Sequence, residues 1–520
     1  MIPLFSNKEV RTVDSYAIEQ LGFPSLLLME NAASSLFSII SEKGFLSKTP
    51  TSVGILCGKG NNGGDGFALA RKIAFAGHKV TVLHLSDKKN LSPDAAINYE
   101  LLLKSSSVYK NIKIKKIENM RDVNLLRSCD FIVDAILGSG TQGELKSDLK
   151  KNVEAVNKFH AKKIAVDVPT GLNVDTGYGE TIFKADLTIS LGELKRGLFF
   201  GEGYLASGLV EKGNIGLGGR YFVDTETKDF LVEQSDIKSF VPVKSRRLNK
   251  YSAGKVFLLT GSKGFGGAAV LSTTGAFRSG AGAVILAIPN TLQKIILMKR
   301  PETVLNFYGE RTTEFLALDH YTSLREKINW ADSIAIGSGI GREEATIEFV
   351  NLLLKNHPNK KVIIDADAIY AVARNGYHNY HFKNAVFTPH LGEFCTLIGE
   401  EKTTVEKDLL YFGKKFVKVT KSILVLKGPR TIIFTPDGKS FINPTGNEGL
   451  AKFGSGDVLT GMLASFIAQI KDVKQAVLSA VYMHGLAADH LKEKKSAYGF
   501  TASDLAAQIP FTLKGLNDTL

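Results

Sequence analysis

The chain has 520 residues, 44% hydrophobic and 22% charged, so it exceeds one domain of roughly 100–200 residues and carries apolar material for two cores. Its formal net charge of +13 is spread along the sequence, with one dense patch at Lys244, Arg246, Arg247, Lys250 and Lys255, and suits anionic ligands. No zinc finger, basic helix or aromatic-studded RNA-binding strand pair accompanies that charge, which excludes nucleic acid as an expected partner.

The first residues, MIPLFSNKEVRTVDSYAIEQ, lack the charged and apolar blocks of a signal peptide, and no apolar run approaches the ~20 residues that span a bilayer. Three cysteines, Cys57, Cys129 and Cys395, stand far apart with neither disulfide nor metal spacing. A soluble protein of a reducing compartment, the cytoplasm, is expected, with no membrane partner.

Short β-branched runs ending in glycine or aspartate then recur. They are SVGILCGKGNNGGDG (52–66), KVTVLHLS (79–86), DFIVDAILGSGTQG (130–143) and KIAVDVPTGLN (163–173) in the first half. The second half has KVFLLTGSKGFGG (255–267), AVILAIP (283–289), DSIAIGSGIG (332–341), KVIIDADAI (361–369), AVFTPHLGE (385–393) and ILVLKGPRT (423–431). Continuous apolar runs suit strands buried on both faces of a parallel sheet. Helix-like stretches such as Ala68–Phe75, Ala268–Ser279 and Glu343–Leu354 alternate with them, which predicts α/β architecture. The pattern breaks between about 222 and 248, in a polar stretch containing Pro242, and restarts at Tyr251. Two α/β domains are expected, at 1–222 and 240–515, without a residue-level repeat.

In open α/β sheets, ligands bind beyond the carboxyl ends of the strands, where these glycines and aspartates fall. GKGNNGGDG (58–66) follows a strand and precedes a helix, but its glycines do not fit G-x-G-x-x-G. Its asparagines and aspartate add oxygen donors for a cation or ribose hydroxyls. Asp134 and Asp167 each end a buried strand, where a bare carboxylate is costly unless paired; each is also readable as a turn aspartate. Three such loops at successive strand ends point to one oxygen-rich pocket.

NNGGDG, VDAILGSGTQG and VDVPTGLN, preceded by LLLMENAA (26–33), resemble the N-terminal domain of the YjeF family, a Rossmann-like NAD(P)HX epimerase, over about residues 1–220. The resemblance implies that Asn61, Asn62, Gly63, Gly64 and Asp65 contact substrate, and that Asn62, Asp134 and Thr170 hold potassium. It further implies that Gly138, Ser139, Gly140, Thr141, Gln142, Gly143 and Glu144 line phosphates or ribose, with Asp167 at the nicotinamide ring. Exchanging the configuration at C6 of a hydrated ring requires hydroxyl to leave and water to return; Asp167 is the expected acid, then base.

In the second half, NPTGNEGLAKFGSGDVLTG (443–461) places glycines and Asp457 before apolar residues at helical spacing, with a helix start near Gly456. Free N–H groups at a helix start favour an anion; Asp457 alone reads more readily as a helix cap. HLGE (390–393) and KGPRT (427–431) follow other strands, and GSKGFGGA (261–268) and GSGIG (337–341) complete five loops ending strands of one sheet. Together they favour a nucleotide-phosphate site with a carboxylate aimed at a hydroxyl.

KYSAGKVFLLTGS, RSGAGAV, DADAI, TPHLGE, KGPRT and NPTGNEGLAKFGSGDVLTG resemble the ADP/ATP-dependent NAD(P)HX dehydratase domain, a ribokinase-like fold, over about residues 240–510. The resemblance implies that Lys427, Gly428, Pro429, Arg430 and Thr431, with Asn447, Glu448, Gly449, Leu450, Ala451, Lys452, Phe453, Gly454, Ser455 and Gly456, cradle ADP. Gly339, Thr388, Pro389, His390, Leu391, Gly392, Glu393, Phe394 and Asp457 would face the hydrated substrate. Ser338 and Leu391 stand where proline is common and are expected to supply no chemistry; Lys452 is read as a phosphate partner or as a solvated charge. Magnesium is expected on the ADP phosphates, and joining both domains in one chain resembles the bacterial, ADP-using form. The whole implies a homo-oligomeric bifunctional repair enzyme for NADHX and NADPHX. Its rivals are a ribokinase-like vitamin or sugar kinase and a non-catalytic first half.

Overall fold

The computed structural model describes residues 1–140, 143–217, 226–241 and 244–518. The chain divides into two compact units, Pro3–Asp229 and Phe230–Leu520 together with Met1–Ile2. The polar stretch around this division is not wholly irregular. It holds a strand, Asp229–Leu231, and a helix, Gln234–Phe240, while Pro242 lies outside the described residues.

Strands are numbered along the chain from β1 (Ile2–Leu4). In the first unit β2 (Ser52–Cys57), β3 (Lys79–His84), β4 (Ile112–Lys116), β5 (Phe131–Ala135), β6 (Lys162–Val166), β7 (Leu187–Leu191) and β8 (Leu209–Gly213) form one parallel sheet. Their order is β4-β3-β2-β5-β6-β7-β8. Winding reverses between β2 and β5, which opens a crevice beyond their carboxyl ends. β2, β5 and β6 are buried nearly throughout, which is why their apolar runs are continuous. β4, IKIKK, alternates charge with isoleucine at the sheet edge, and so carries no such run.

The second unit's sheet has the order β1-β9-β18-β17-β16-β15-β14-β13-β10-β11-β12. Here β9 is Asp229–Leu231, β10 Lys255–Leu259, β11 Ala283–Pro289, β12 Val304–Tyr308, β13 Ser333–Ile336 and β14 Val362–Ile364. β15 is Ala385–Phe387, β16 Ile423–Leu426, β17 Ile432–Phe434 and β18 Ser440–Ile442. Strands β10 to β16 pair in parallel, and β16, β17 and β18 then run antiparallel. Helix Ser455–Gln469 begins one residue before Gly456 and packs closely on helix Gly266–Arg278. A Cβ on Gly461 would meet the Ser272 carbonyl oxygen at 1.9 Å, so glycine is required for that approach.

Candidate active sites

In the first unit, NNGGDG is not a loop: helix Asn61–Phe75 starts at Asn61 and takes the motif as its first turns. Glycine makes this tight start possible, since a Cβ on Gly63 would lie 2.1 Å from the Gly58 carbonyl oxygen, and one on Gly66 2.6 Å from the Ala135 Cβ. The start faces a cavity of about 520 Å³ lined by Asn61, Asn62, Asp65, Gly138, Ser139, Gly140 and Asp167. Gly63 and Gly64 are buried behind that wall. Gly143 and Glu144 are exposed and do not line it, and Thr141 and Gln142 lie outside the described residues.

Asp167 follows β6 with φ of 67°, a left-handed conformation that aspartate tolerates better than most residues. Its Oδ1 accepts from Lys195 Nζ at 2.5 Å and from the Leu191 N–H at 3.3 Å, and its Oδ2 from the Ser139 N–H at 3.0 Å. Burial disfavours its charge, but Lys195 and those N–H groups outweigh burial and hold the carboxyl below its usual range. Lys195 is 1% exposed and also donates to the Leu191 carbonyl. Burial and then the charge of Asp167 raise Asp65 well above the usual carboxylate range. The sequence reading missed Lys195, because a single lysine in GELKRG has no motif; its burial is a tertiary fact.

Asp134 is fully buried and accepts from Thr170 N at 2.8 Å, Thr170 Oγ1 at 2.8 Å and Ile136 N at 3.1 Å. Burial still pushes its carboxyl up to about 6, and among the described residues no salt bridge neutralises it. Both side-chain atoms of the Asn62 amide are buried without a hydrogen-bond partner. The unpaired Asn62 amide lines the cavity, and the Asp134 carboxyl lies buried outside its lining without a counter-charge; each offers oxygen of the kind that a cation such as potassium takes.

In the second unit Asp365, at the end of β14, takes the central place that Asp167 has in the first. Its Oδ1 accepts from Thr388 Oγ1 at 2.7 Å and from Lys427 Nζ at 3.3 Å; its Oδ2 accepts from Ser338 Oγ and Thr460 Oγ1, each at 3.0 Å. Burial opposes its charge, but Lys427 and the three hydroxyls hold it below the usual range. Asp457, half-buried in the first turn of helix Ser455–Gln469, is pushed up to about 6 by burial and then by the charge of Asp365. A hydrogen bond with Ser338 and the charge of Lys427 oppose that shift. Ser338 is therefore wired to both acids, which corrects the expectation that it is chemically idle. Asp365 stood in DADAI as an acid directly after an apolar run, the one signal available for it.

The anion turn is assembled from several elements. Gly454 caps the helix with φ of 92°, and Ser455 Oγ donates to the carbonyls of Leu450 and Lys452. A Cβ on Gly456 would lie 3.7 Å from Lys427 Nζ, so the KGPRT lysine stands over the helix start. Thr431 is partly buried, Gly428 and Pro429 are exposed, and Arg430 is partly buried. Asn447 Oδ1 accepts from the Gly449 N–H and its Nδ2 donates to Asp489, while Glu448 pairs with Lys492. Ala451 and Phe453 are exposed, and neutral His484, pushed down to about 4 by burial, sits 3.0 Å from the Ser455 carbonyl.

Three residues behave otherwise than expected. Lys452 Nζ donates to the carbonyls of Ala497, Tyr498 and Phe500, closing a helix end instead of reaching toward phosphate. Phe394 is 0% exposed and packs edge-on against Phe416, so its side chain belongs to the core. Glu393 is half-occupied in a capping box with His390, whose N–H donates to Glu393 Oε2 at 2.9 Å. Leu391 and Gly392 form the first turn after that cap, Pro389 accepts from the Lys427 N–H, and Gly339 has φ of 65° against Phe265.

Fold and sites define a protein of two α/β units, one with a carboxylate-lined cavity at a winding reversal and one with an acid on a glycine-rich anion turn. Residues 256–511 match the family model described as NAD(P)H-hydrate dehydratase, and residues 25–197 the one described as YjeF-related protein N-terminus. The bifunctional NAD(P)H-hydrate repair enzyme Nnr of Dictyoglomus turgidum is 34% identical over 517 residues, covering 98% of each chain. Its counterpart from Moorella thermoacetica is 34% identical over 526 residues, covering 99% of this chain and 97% of that one. The chain belongs to the family of bifunctional NAD(P)H-hydrate repair enzymes. The crystal structure of a ribokinase-like superfamily protein from Enterococcus faecalis V583 has a TM-score of 0.50 and 26% identity, covering 56% of this chain and 97% of that one. The second unit is ribokinase-like.

Proposed function

We propose that this chain restores hydrated nicotinamide cofactors, epimerising the R and S forms of NADHX and NADPHX in residues 1–222 and dehydrating the S form with ADP in residues 240–515. The observation that carries the reading is Asp457, a carboxyl pushed up to about 6 beside an anion-binding helix start and Lys427. A base poised near neutrality is matched to taking a hydroxyl proton.

The Asp457 carboxylate takes the proton of the C6 hydroxyl, whose oxygen attacks the β-phosphorus of ADP; the bond to the bridging oxygen breaks and AMP leaves. The N–H groups of the GSGD turn and the Lys427 ammonium stabilise the charge on the transferring group. Phosphate is a better leaving group than hydroxide, so the ring nitrogen expels it from C6, and loss of a C5 proton restores the dihydropyridine. Magnesium enters as part of the nucleotide substrate. In the first unit Asp167 stands at C6 of the ring. Asn62, Asp134 and Thr170 would hold potassium, which supplies a positive charge beside the substrate's anionic groups. Three free buried cysteines suit the reducing cytoplasm, and homo-oligomeric assembly belongs to the same reading. No helix among the described residues is long and apolar enough to cross a membrane.

The test supplies both epimers of hydrated NADH with ADP and magnesium. Full recovery of dihydronicotinamide absorbance with one AMP per NADH is expected. Recovery that stops when the S form is exhausted would remove the epimerase half, and no recovery would remove the dehydratase half.

A further inference from the structure

Asp167 is anchored as a carboxylate by Lys195, Ser139 and Leu191, which equips it to accept a proton and leaves the acid of an epimerisation unassigned. Helix Asn7–Ser15 supplies a further carboxyl to the same cavity, Asp14, ahead of residues 25–197 that the YjeF-related model matches. A capping box of Ser6 and Glu9 starts that helix, and Arg11 Nη2 ties it to the Gly140 carbonyl at 3.2 Å, across the Gly138–Gly140 turn. Asp14 Oδ1 is buried and makes no hydrogen bond within the protein. A buried, unpartnered carboxyl oxygen is rare enough to need a reason, and a ligand hydroxyl in the cavity supplies one.

We propose that Asp14 is the general acid of the epimerase site, facing the C6 hydroxyl of the hydrated ring and working with Asp167 as base. This rests on the epimerase reading. The Asp14 carboxyl gives its proton to the C6 hydroxyl, the C6–O bond breaks, water leaves, and the lone pair of N1 forms an N1=C6 iminium. A water molecule adds to the other face of C6, the iminium electron pair returns to N1, and the Asp167 carboxylate takes the proton of that water. The product differs only in configuration. Asp167 then releases its proton to water and Asp14 takes one up from water, which restores the starting state, and the reverse reaction uses the two carboxyls in exchanged roles. Burial favours the neutral Asp14 carboxyl, against the pull of Lys195 and with the push of Asp167, which suits a resident proton. The other charged groups lining the cavity are Arg11, Lys59, Asp65 and Asp94.

Asp14→Asn should slow exchange of the R into the S form by about 10²–10⁴-fold, followed by coupled recovery of NADH from purified R epimer in the full chain. In Asp14→Ala, added formate should restore part of the rate, increasingly as the pH is lowered and the protonated acid becomes abundant. A merely structural aspartate gives no such rescue. Exchange at the wild-type rate in Asp14→Asn, or a loss in Asp14→Ala that formate at no pH restores, would overturn the assignment. Wild-type protein that cannot exchange the epimers at all would overturn the epimerase reading together with it.

Discussion

Two carboxylates, Asp167 in the first unit and Asp365 in the second, sit at the ends of parallel strands in closely similar settings. Each is buried and each is paired with a lysine; Asp167 itself has a positive φ of 67°, whereas Asp365 is extended and the residue after it, Ala366, has φ of 44°. Both are held as anions and both raise neighbouring acids, Asp65 and Asp14 in the cavity of the first unit and Asp457 in the second unit. The difference lies in the lysine. Lys195 has a side chain 1% exposed at 2.5 Å, sealed onto its partner, whereas Lys427 is 24% exposed at 3.3 Å and stands over the anion turn. A sealed lysine can only tune a carboxylate. A half-exposed one is free to serve an arriving phosphate as well, and this distinction fits proton exchange in one unit and phosphoryl transfer in the other.

The largest expected effect separates the two units outright. Asp457→Asn should lower the turnover of S-epimer dehydration by about 10²–10⁴-fold while calorimetric ADP binding persists. Retained turnover would place the base elsewhere. Lys195→Met leaves Asp167 buried without its counter-charge and should cost the first unit about 3–5 kcal/mol in denaturant unfolding. Lys427→Met should cost less, because Lys427 is itself 24% exposed and the hydroxyls of Ser338, Thr388 and Thr460 still donate to Asp365; equal losses would dissolve the contrast between the two lysines.

The pH dependence sharpens the same comparison. Asp457 must be ionised to act as a base, and its carboxyl is pushed up to about 6, so kcat/KM for dehydration should rise with pH through that value and level off above it. Lys427 pulls this carboxyl down, so Lys427→Met should move the acidic limb to higher pH; an unmoved limb would show that another group titrates. The smallest expected change is that of Ser338→Ala. It removes the hydroxyl that holds the Asp457 carboxyl down and that also donates to Asp365; each hydrogen bond is worth about 1 kcal/mol, and loss of the one to Asp457 shifts the limb upward by a fraction of a pH unit with folding retained.

Much of this architecture was legible from local patterning. All ten apolar runs ending in glycine or aspartate contain strands, and the anion helix starts at Ser455, beside the expected Gly456. Strands that alternate, such as β4, or that are very short, such as β17 and β18, were not, because a three-residue or charged segment takes its conformation from its neighbours in the sheet. The side-chain partners of Phe394 and Lys452 were not legible either, for a related reason. Their motif neighbours set their position along the chain, but packing against Phe416 and three helix-end carbonyls decided where the side chains turn.

By itself the sequence determined the α/β class, the two-unit organisation, and the strand ends at which glycines and aspartates gather, because apolar periodicity and glycine spacing act over a few residues. Only the tertiary structure decided which acids are held as anions and which are pushed toward the neutral form. The partners that set those states, Lys195 for Asp167 and Lys427, Ser338 and Thr460 for Asp365, come from distant segments, and the burial that makes a missing or present counter-charge matter exists only once the chain has folded.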